Sequence, residues 1–144
     1  MRIRIPLQGN KDDLIHIVNL HLRAPFPSLP WKVGKQRLLE TTTHIEKLFH
    51  EGLQNTKGKV LIVGDFNTHS KSQSCRYLCE QNDFVDVLVE QKTNRVTLTW
   101  KRVLRQEFDH ILYRKQDFEL VKAKVSHEGG SDHWPVFASF TYSS

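Results

Sequence analysis

Six side chains able to carry a proton or a cation stand at the ends of apolar runs in this chain. His21 falls near the end of Leu14 to Leu22, and Asp65 and Asn67 follow Val60-Leu61-Ile62-Val63-Gly64. Asp109 opens the run through Leu112, and Asp132 and His133 immediately precede Trp134 to Tyr142. Catalytic groups collect at strand ends, because a sheet holds them rigidly while the loops leave them reachable. Two imidazoles and three carboxylates can serve as base, acid, orienting group and cation ligand. Each also has an ordinary structural reading when taken singly. His21 fits a satisfied edge histidine, and Asp65 to Asn67 fits a capped turn after a strand. Asp109 fits an ion pair with Arg95, Arg105 or Arg114, and Ser131-Asp132-His133 fits a capped turn before a strand.

These groups need strands to hold them. Arg2 to Ile5 alternates charged and apolar residues, the pattern of a half-exposed strand, and Gly9 to Asp13 is hairpin-turn material. Leu14 to Leu22, rich in Ile and Val, reads as a strand buried on both faces. A period of two puts Asn19 and His21 on the same side of it. Pro25, Pro27 and Pro30 make the next segment a loop. A helix is expected from Val33, with Leu38, Ile45 and Leu48 or Phe49 on one stripe and Gly52 as its stop. Lys59 to Gly64 reads as a second buried strand, Ser72 to Gln81 as a short helix, and Phe84 to Val89 fits either. Further strands are expected over Arg95 to Trp100, Phe108 to Tyr113, Phe118 to Ser126 and Trp134 to Tyr142, with a turn over residues 128–132. Strands with two helices between them and antiparallel pairs at each end describe an α/β fold, a layered α+β sandwich. No repeat, low-complexity tract or linker breaks it, so residues 1–144 read as a single domain.

Composition narrows the function classes. The 144 residues carry 21 Lys plus Arg against 16 Asp plus Glu, a formal charge of +5. A pI near 9.3 favours anionic partners such as nucleic acid, phosphorylated molecules or acidic lipid. Hydrophobic residues at 38% exclude a disordered chain. No apolar run approaches the ~20 residues of a membrane span, and Met1 to Gln8 lacks a signal-peptide core. Cys75 and Cys79, four apart on the expected short helix, exclude a disulfide scaffold and have no nearby ligands for zinc. They read as buried thiols of a reducing compartment, and the expected location is the cytoplasm.

Taken in order, Val18-Asn19-Leu20-His21-Leu22, Val63-Gly64-Asp65-Phe66-Asn67, Phe108-Asp109-His110-Ile111-Leu112 and Ser131-Asp132-His133-Trp134-Pro135-Val136 resemble the endonuclease/exonuclease/phosphatase superfamily. That is the fold of deoxyribonuclease I, abasic-site endonucleases, inositol-polyphosphate 5-phosphatases, neutral sphingomyelinases and deadenylases. The Gly-Asp-Phe-Asn and Ser-Asp-His-x-Pro-Val elements are the specific ones, and the likeness runs from about Met1 to Phe140. It implies a divalent-metal-dependent phosphodiester or phosphomonoester hydrolase. His133 would be the general base, with Asp132 polarising it or contacting a second cation. Asp65 and Asn67 would hold the phosphate and position the water or the metal. His21 would bond the scissile phosphate and protonate the leaving oxygen, with Asp109 orienting it. The expected metal ligands are Asp65, Asn67 and Asp132, and the expected ion is Mg²⁺ or Mn²⁺, which prefers oxygen ligands.

Members of the superfamily run to roughly twice this length, as two similar halves packed face to face. This chain is similar to the second half: one half of the deoxyribonuclease I-like four-layer fold, with a mixed, mostly antiparallel sheet and helices on one face. The first-half Asn and the Mg²⁺-binding Glu have no counterpart here. The metal is therefore expected to be weakly held or absent, with hydrolysis impaired. The sheet face that would meet the other half should be apolar and open, which implies a homodimer or a missing N-terminal half.

The resemblance leaves the substrate open. Trp100, Arg102 and Arg105, beside Lys101 and just ahead of Asp109, suit a phosphate backbone and a stacked base, which makes a nuclease the first reading. They equally suit a solvated basic hairpin tip. Asn19 joins them as a candidate substrate contact. Glu107-Phe108-Asp109-His110 departs from the Trp-Cys-Asp-Arg-like form usual in inositol phosphatases. Sphingomyelinase-type hydrolysis stays open, although Pro25-Phe26-Pro27 and Trp31 are the extent of any membrane-inserting loop. The alternative class is a non-catalytic half-domain that binds a phosphate-containing ligand or a partner protein.

Overall fold

Alternation along the Ile- and Val-rich runs gives strands with two different faces, and the order of those strands decides what each face meets. The computed structural model describes residues 2–7, 10–24, 31–53, 56, 58–101 and 103–142. Its main sheet has five strands: β1 (Arg2–Leu7), β2 (Asn10–His21), β3 (Lys59–Asp65), β4 (Phe84–Asp86) and β7 (Asp109–Arg114). Across the sheet they run β1-β2-β3-β7-β4, with β2 and β3 parallel and every other pair antiparallel. Among the described residues two further antiparallel pairs form, β5 (Leu98–Trp100) with β6 (Leu104–Gln106) and β8 (Glu119–Val125) with β9 (Val136–Thr141).

The parallel β2–β3 pair requires a crossover, and α1 (Trp31–Leu48) supplies it, ending in a five-residue π turn over Phe49–Leu53. Among the described side chains, Thr42 and Ile45 of the helix and Phe49 and Leu53 of the π turn are buried, spaced by three and four. Of the two alternatives for this stripe, Phe49 is the core residue and Leu48 is exposed. Gly52 does not stop the helix by adopting a positive φ; it lies inside the π turn, and its carbonyl accepts from Thr56 Oγ1. The α2 helix (Gln73–Gln81) begins at Ser72, whose Oγ accepts from Cys75 N. Phe84 to Val89 divides at Asp86: β4 ends there, and Asp86 caps the single turn α3 (Val87–Glu90).

Each face of the sheet has its own core. Val60, Ile62 and Leu112 point to the α1–α2 side, where they meet Ile45, Phe49, Cys75, Leu78 and Phe84. Tyr113, with Leu61 and Ile111 beside it, points the other way onto the β8–β9 hairpin, against Phe118, Ala123 and Phe140. Cys75 is buried and Cys79 half-buried, both free, and burial pushes their thiols up to about 12 and about 11. The hairpin does not reach across to β1. Ile3 and Ile5, paired with Ile17 and Ile15 on that face, stay 44% and 42% exposed.

Two boundaries differ from the pattern reading. Of the turn expected over Gly9 to Asp13, residues 10–13 belong to β2, which pairs Asn10 with Leu7, and Gly9 lies outside the described residues. The strand expected over Arg95 to Trp100 keeps only Leu98 to Trp100, although Thr97 N still donates to the carbonyl of Gln106 at the end of β6. No helix among the described residues is long and apolar enough to cross a membrane.

Candidate functional site

Register brings the site together. In the parallel β2–β3 ladder His21 is the partner of Asp65, and in the antiparallel β3–β7 ladder Asp65 is the partner of Asp109. Partners in a ladder point to the same face, so these three form one rung across three strands. Asn19, two residues before His21, is exposed on the same face one rung inward, opposite Val63.

His133 arrives from outside the sheet. Leu98 of β5 bridges to it, Thr99 N donates to the carbonyl of Asp132 at 2.8 Å, and Trp134 N donates to the carbonyl of Thr97 at 2.6 Å. Trp134 Nε1 also donates to Thr99 Oγ1 at 3.0 Å. The β5 segment thereby holds the 132–134 backbone against the end of β7. Thr97 completes the brace: its fully buried hydroxyl accepts from the amides of Phe108 at 3.0 Å and Asp109 at 2.9 Å. Thr97→Val is expected to leave those two donors unpaired and to reduce stability by about 1–3 kcal/mol, read by urea denaturation. An unchanged midpoint would show that the brace is dispensable.

The ring of His133 bonds Asp109, with Nδ1 and Oδ2 2.8 Å apart, and its Nε2 faces Asp65 Oδ2 at 4.0 Å. From the other side His21 Nε2 stands 3.8 Å from the same oxygen. The Asp65 carboxylate thus lies between two imidazoles. Asp65 Oδ1 accepts from the amide of Asn67 at 2.8 Å and Oδ2 accepts from Asn67 Nδ2 at 3.0 Å, while Nδ2 also donates to the carbonyl of Leu22 at 2.9 Å. Asn67 adopts φ 50, a left-handed conformation that Asn tolerates.

Two expected pairings change. Asp109 was to orient His21, but its carboxylate is bonded to His133, because the β5 brace sets that ring beside the start of β7 while His21 is the partner of Asp65, one strand further away. Asp132 was to polarise His133, but its side chain is exposed and bonds Ser131 Oγ at 3.4 Å, so it acts on the ring only as a nearby charge. His21 itself has 81% of its side chain exposed. Of the proposed substrate contacts, Arg105 is exposed on β6, in the hairpin that braces His133. The Trp100 side chain, Arg102 and Pro25-Phe26-Pro27 lie outside the described residues.

The electrostatics follow from this crowding. Burial raises the Asp65 carboxyl above its ordinary value, and the neighbouring Asp109 charge adds to that against the Asn67 amide and the two imidazoles. Burial alone would lower His133, yet the hydrogen bond and charge of Asp109, followed by Asp65 and Asp132, raise it above 6.5. One ligand-type atom from each of Asp65, Asp109 and His133 lies within 4.8 Å of the others. Asp109 and His133 are bonded to each other, which leaves Asp65 as the anionic donor and Asn67 Oδ1 as a neutral one. A hard cation fits this donor set, because it would offset the burial and the like charge that strain Asp65.

A layered α/β domain with a His–Asp pair facing an acidic turn at the strand ends defines the class. Residues 8–133 match the Endonuclease/Exonuclease/phosphatase family, and the chain belongs to it. A curated relative, a UPF0294 protein of Vibrio campbellii (strain ATCC BAA-1116), is 27% identical over 140 residues, covering 93% of this chain and 42% of its own length. The chain therefore spans less than half of that relative. Among solved structures, the human Nocturnin catalytic domain with bound sulfate anion is 16% identical with a TM-score of 0.64, covering 97% of this chain and 51% of its own. The 3' phosphatase NExo from Neisseria bound to a product DNA hairpin is 20% identical with a TM-score of 0.61, covering 98% of this chain and 65% of its own. At these identities the structural matches establish the fold.

Proposed function

We propose that this chain carries the base-and-phosphate side of a divalent-metal-dependent phosphoester hydrolase, acting first on nucleic acid. The observation that carries the reading is the Asp65 carboxylate flanked by His21 and by the His133–Asp109 pair. His133 Nε2 accepts the proton of the attacking water, and Asp109 fixes its tautomer through Nδ1. Asn67 holds the Asp65 carboxylate and leaves its own Oδ1 for a phosphate-bound water or cation. Asp65 and Asn67 are the metal ligands, with Asp132 as a further ligand from the turn ahead of β9. When bound there, Mg²⁺ or Mn²⁺ would supply charge neutralisation at the phosphate oxygens. His21, exposed at the other side of Asp65, donates a proton to the leaving oxygen. Asn19, Trp100, Arg102 and Arg105 contact the substrate beyond the scissile group. With few oxygen ligands in this set, the ion is weakly held and turnover is slow.

The basic composition and the DNA-bound neighbour support the nucleic-acid reading, and the test is a panel of DNA, RNA, phosphoinositide and sphingomyelin substrates with Mg²⁺ and Mn²⁺. Turnover confined to a lipid substrate would replace it with a sphingomyelinase- or phosphatase-type reading. The pH profile supplies a second check. His133 works as a base only when neutral, so the acidic limb of the rate should lie above pH 6.5. Asp109→Asn removes the charge that raises it, and the limb should move to lower pH. A limb unmoved by that change would take His133 out of the base role. The open Ile3–Ile5 face supports a companion reading, that a second copy of the chain covers it. Sedimentation should then show a dimer that Ile5→Lys dissociates, and a monomer at all concentrations would remove it.

A further inference from the structure

Strand alternation sends Asp109 to the site and its neighbour His110 to the opposite, helix-covered face. There His110 is fully enclosed, and each ring nitrogen meets an acceptor. Nε2 lies 2.8 Å from the carbonyl oxygen of Thr68, which can only accept. Nδ1 lies 2.6 Å from Asp86 Oδ2, and the other Asp86 oxygen already accepts from the amides of Leu88 and Val89. With Asp86 ionised both partners are acceptors, and a ring that meets two acceptors carries hydrogen on both nitrogens, as a buried cation. Its ring also lies against Phe66, with centroids 5.1 Å apart. Phe66 and Thr68 bracket Asn67, and Phe66 directly follows Asp65. The ring therefore grips both sides of Asn67 from beneath the site.

We propose that the buried ring of His110, donating from both nitrogens, is a positioning residue that sets the Asp65–Asn67 turn. The proposal rests on the phosphoesterase reading only for what that turn does, not for how it is held. Every group that faces the ring agrees. Asp86 supplies the anion from the β4–α3 junction, and Glu107 adds a second carboxylate from the segment ahead of β7. Burial would lower His110, but Asp86, Thr68 and Glu107 raise it above 6.5. Cys75 and Cys79 on α2 add no charge, because their thiols ionise only near 12 and 11. Glu107 Oε1 is buried without a hydrogen-bond partner, and its other oxygen lies 3.6 Å from Arg95 Nε. A metal does not fit here, although Asp86, Glu107 and His110 are close enough to hold one, since both ring nitrogens are already committed. The sign of the pH effect is fixed. The hold is complete below pH 6.5 and is lost as pH rises through the raised value, when one donor leaves.

The test uses the full chain labelled with ¹⁵N. The expected result is two ring N–H signals from His110 at about neutral pH, where an ordinary imidazole holds one. Asp86→Asn keeps an oxygen for the helix amides but removes the anion, and His110→Phe keeps the ring shape without donors. Each should speed hydrogen exchange at the Phe66 and Asn67 amides about tenfold or more, with Ile15 and Ile17 in β2 nearly unchanged. A single ring N–H signal, or exchange that rises equally in β2, would overturn the positioning role. If His110→Phe does not fold, Asp86→Asn decides alone. These readouts do not depend on activity: a chain that turns over no phosphoester can still show them, and an active one can still fail them.

Discussion

His133→Ala is expected to lower Mg²⁺- or Mn²⁺-dependent phosphodiester cleavage by about 10²–10⁴-fold, the usual range for removing a positioned base. The expectation rests on geometry. The ring is fixed at Nδ1 by Asp109, while Nε2 faces Asp65 across 4.0 Å, a gap wide enough for a water or a phosphate oxygen to enter. His133 is half-buried and is absent from both apolar cores, so the same change should leave the melting temperature within a few degrees of wild type. Asp65→Ala should abolish the same activity, because it removes the anionic donor and the anchor of Asn67. Cleavage that survives both substitutions would come from another site.

Gly64→Ala is expected to have the largest effect on stability. Gly64 has φ 131, a conformation that residues with a side chain rarely adopt, and an added Cβ would stand 1.9 Å from the carbonyl oxygen of Leu20. That oxygen belongs to the neighbouring β2 backbone and cannot swing aside. Strain plus collision should reduce stability by about 3–5 kcal/mol, a large share of a domain's total. In a thermal melt the shift should be about 10–17 °C downward for a chain of this size. Because Gly64 lies between Val63 and Asp65, activity should fall along with stability. A variant that melts with wild type would mean that the β2–β3 spacing yields more easily than the ladder implies.

Much of this arrangement was legible from letters alone. The runs ending at His21 and Asp65 are dense in Ile, Val and Leu, and such runs have few alternatives to a buried strand. Short-range signals also held, as at Ser72, whose hydroxyl begins α2. What pattern could not supply was pairing. Asp109 had two histidines to choose from, and the choice depends on Leu98 bridging to His133, a contact 35 residues apart. Thr97 was invisible for the same reason. It is a polar residue in a stretch that reads as strand, and its importance lies in two amides, 11 and 12 residues downstream. His110 was hidden by its neighbour, since a histidine beside a chemically suggestive aspartate attracts no separate notice until the two are seen to face opposite ways.

The shared rung of His21, Asp65 and Asp109 makes the spacing of these groups discontinuous. Strands sit about 4.8 Å apart and side chains alternate with a period of two, so no gradual adjustment of one group relative to another is available. A slip of β3 by a single residue would carry Asp65 to the helix side and bring Gly64 or Phe66 to the rung. Mutational drift at this centre should therefore exchange side chains in place and leave the lattice of positions untouched.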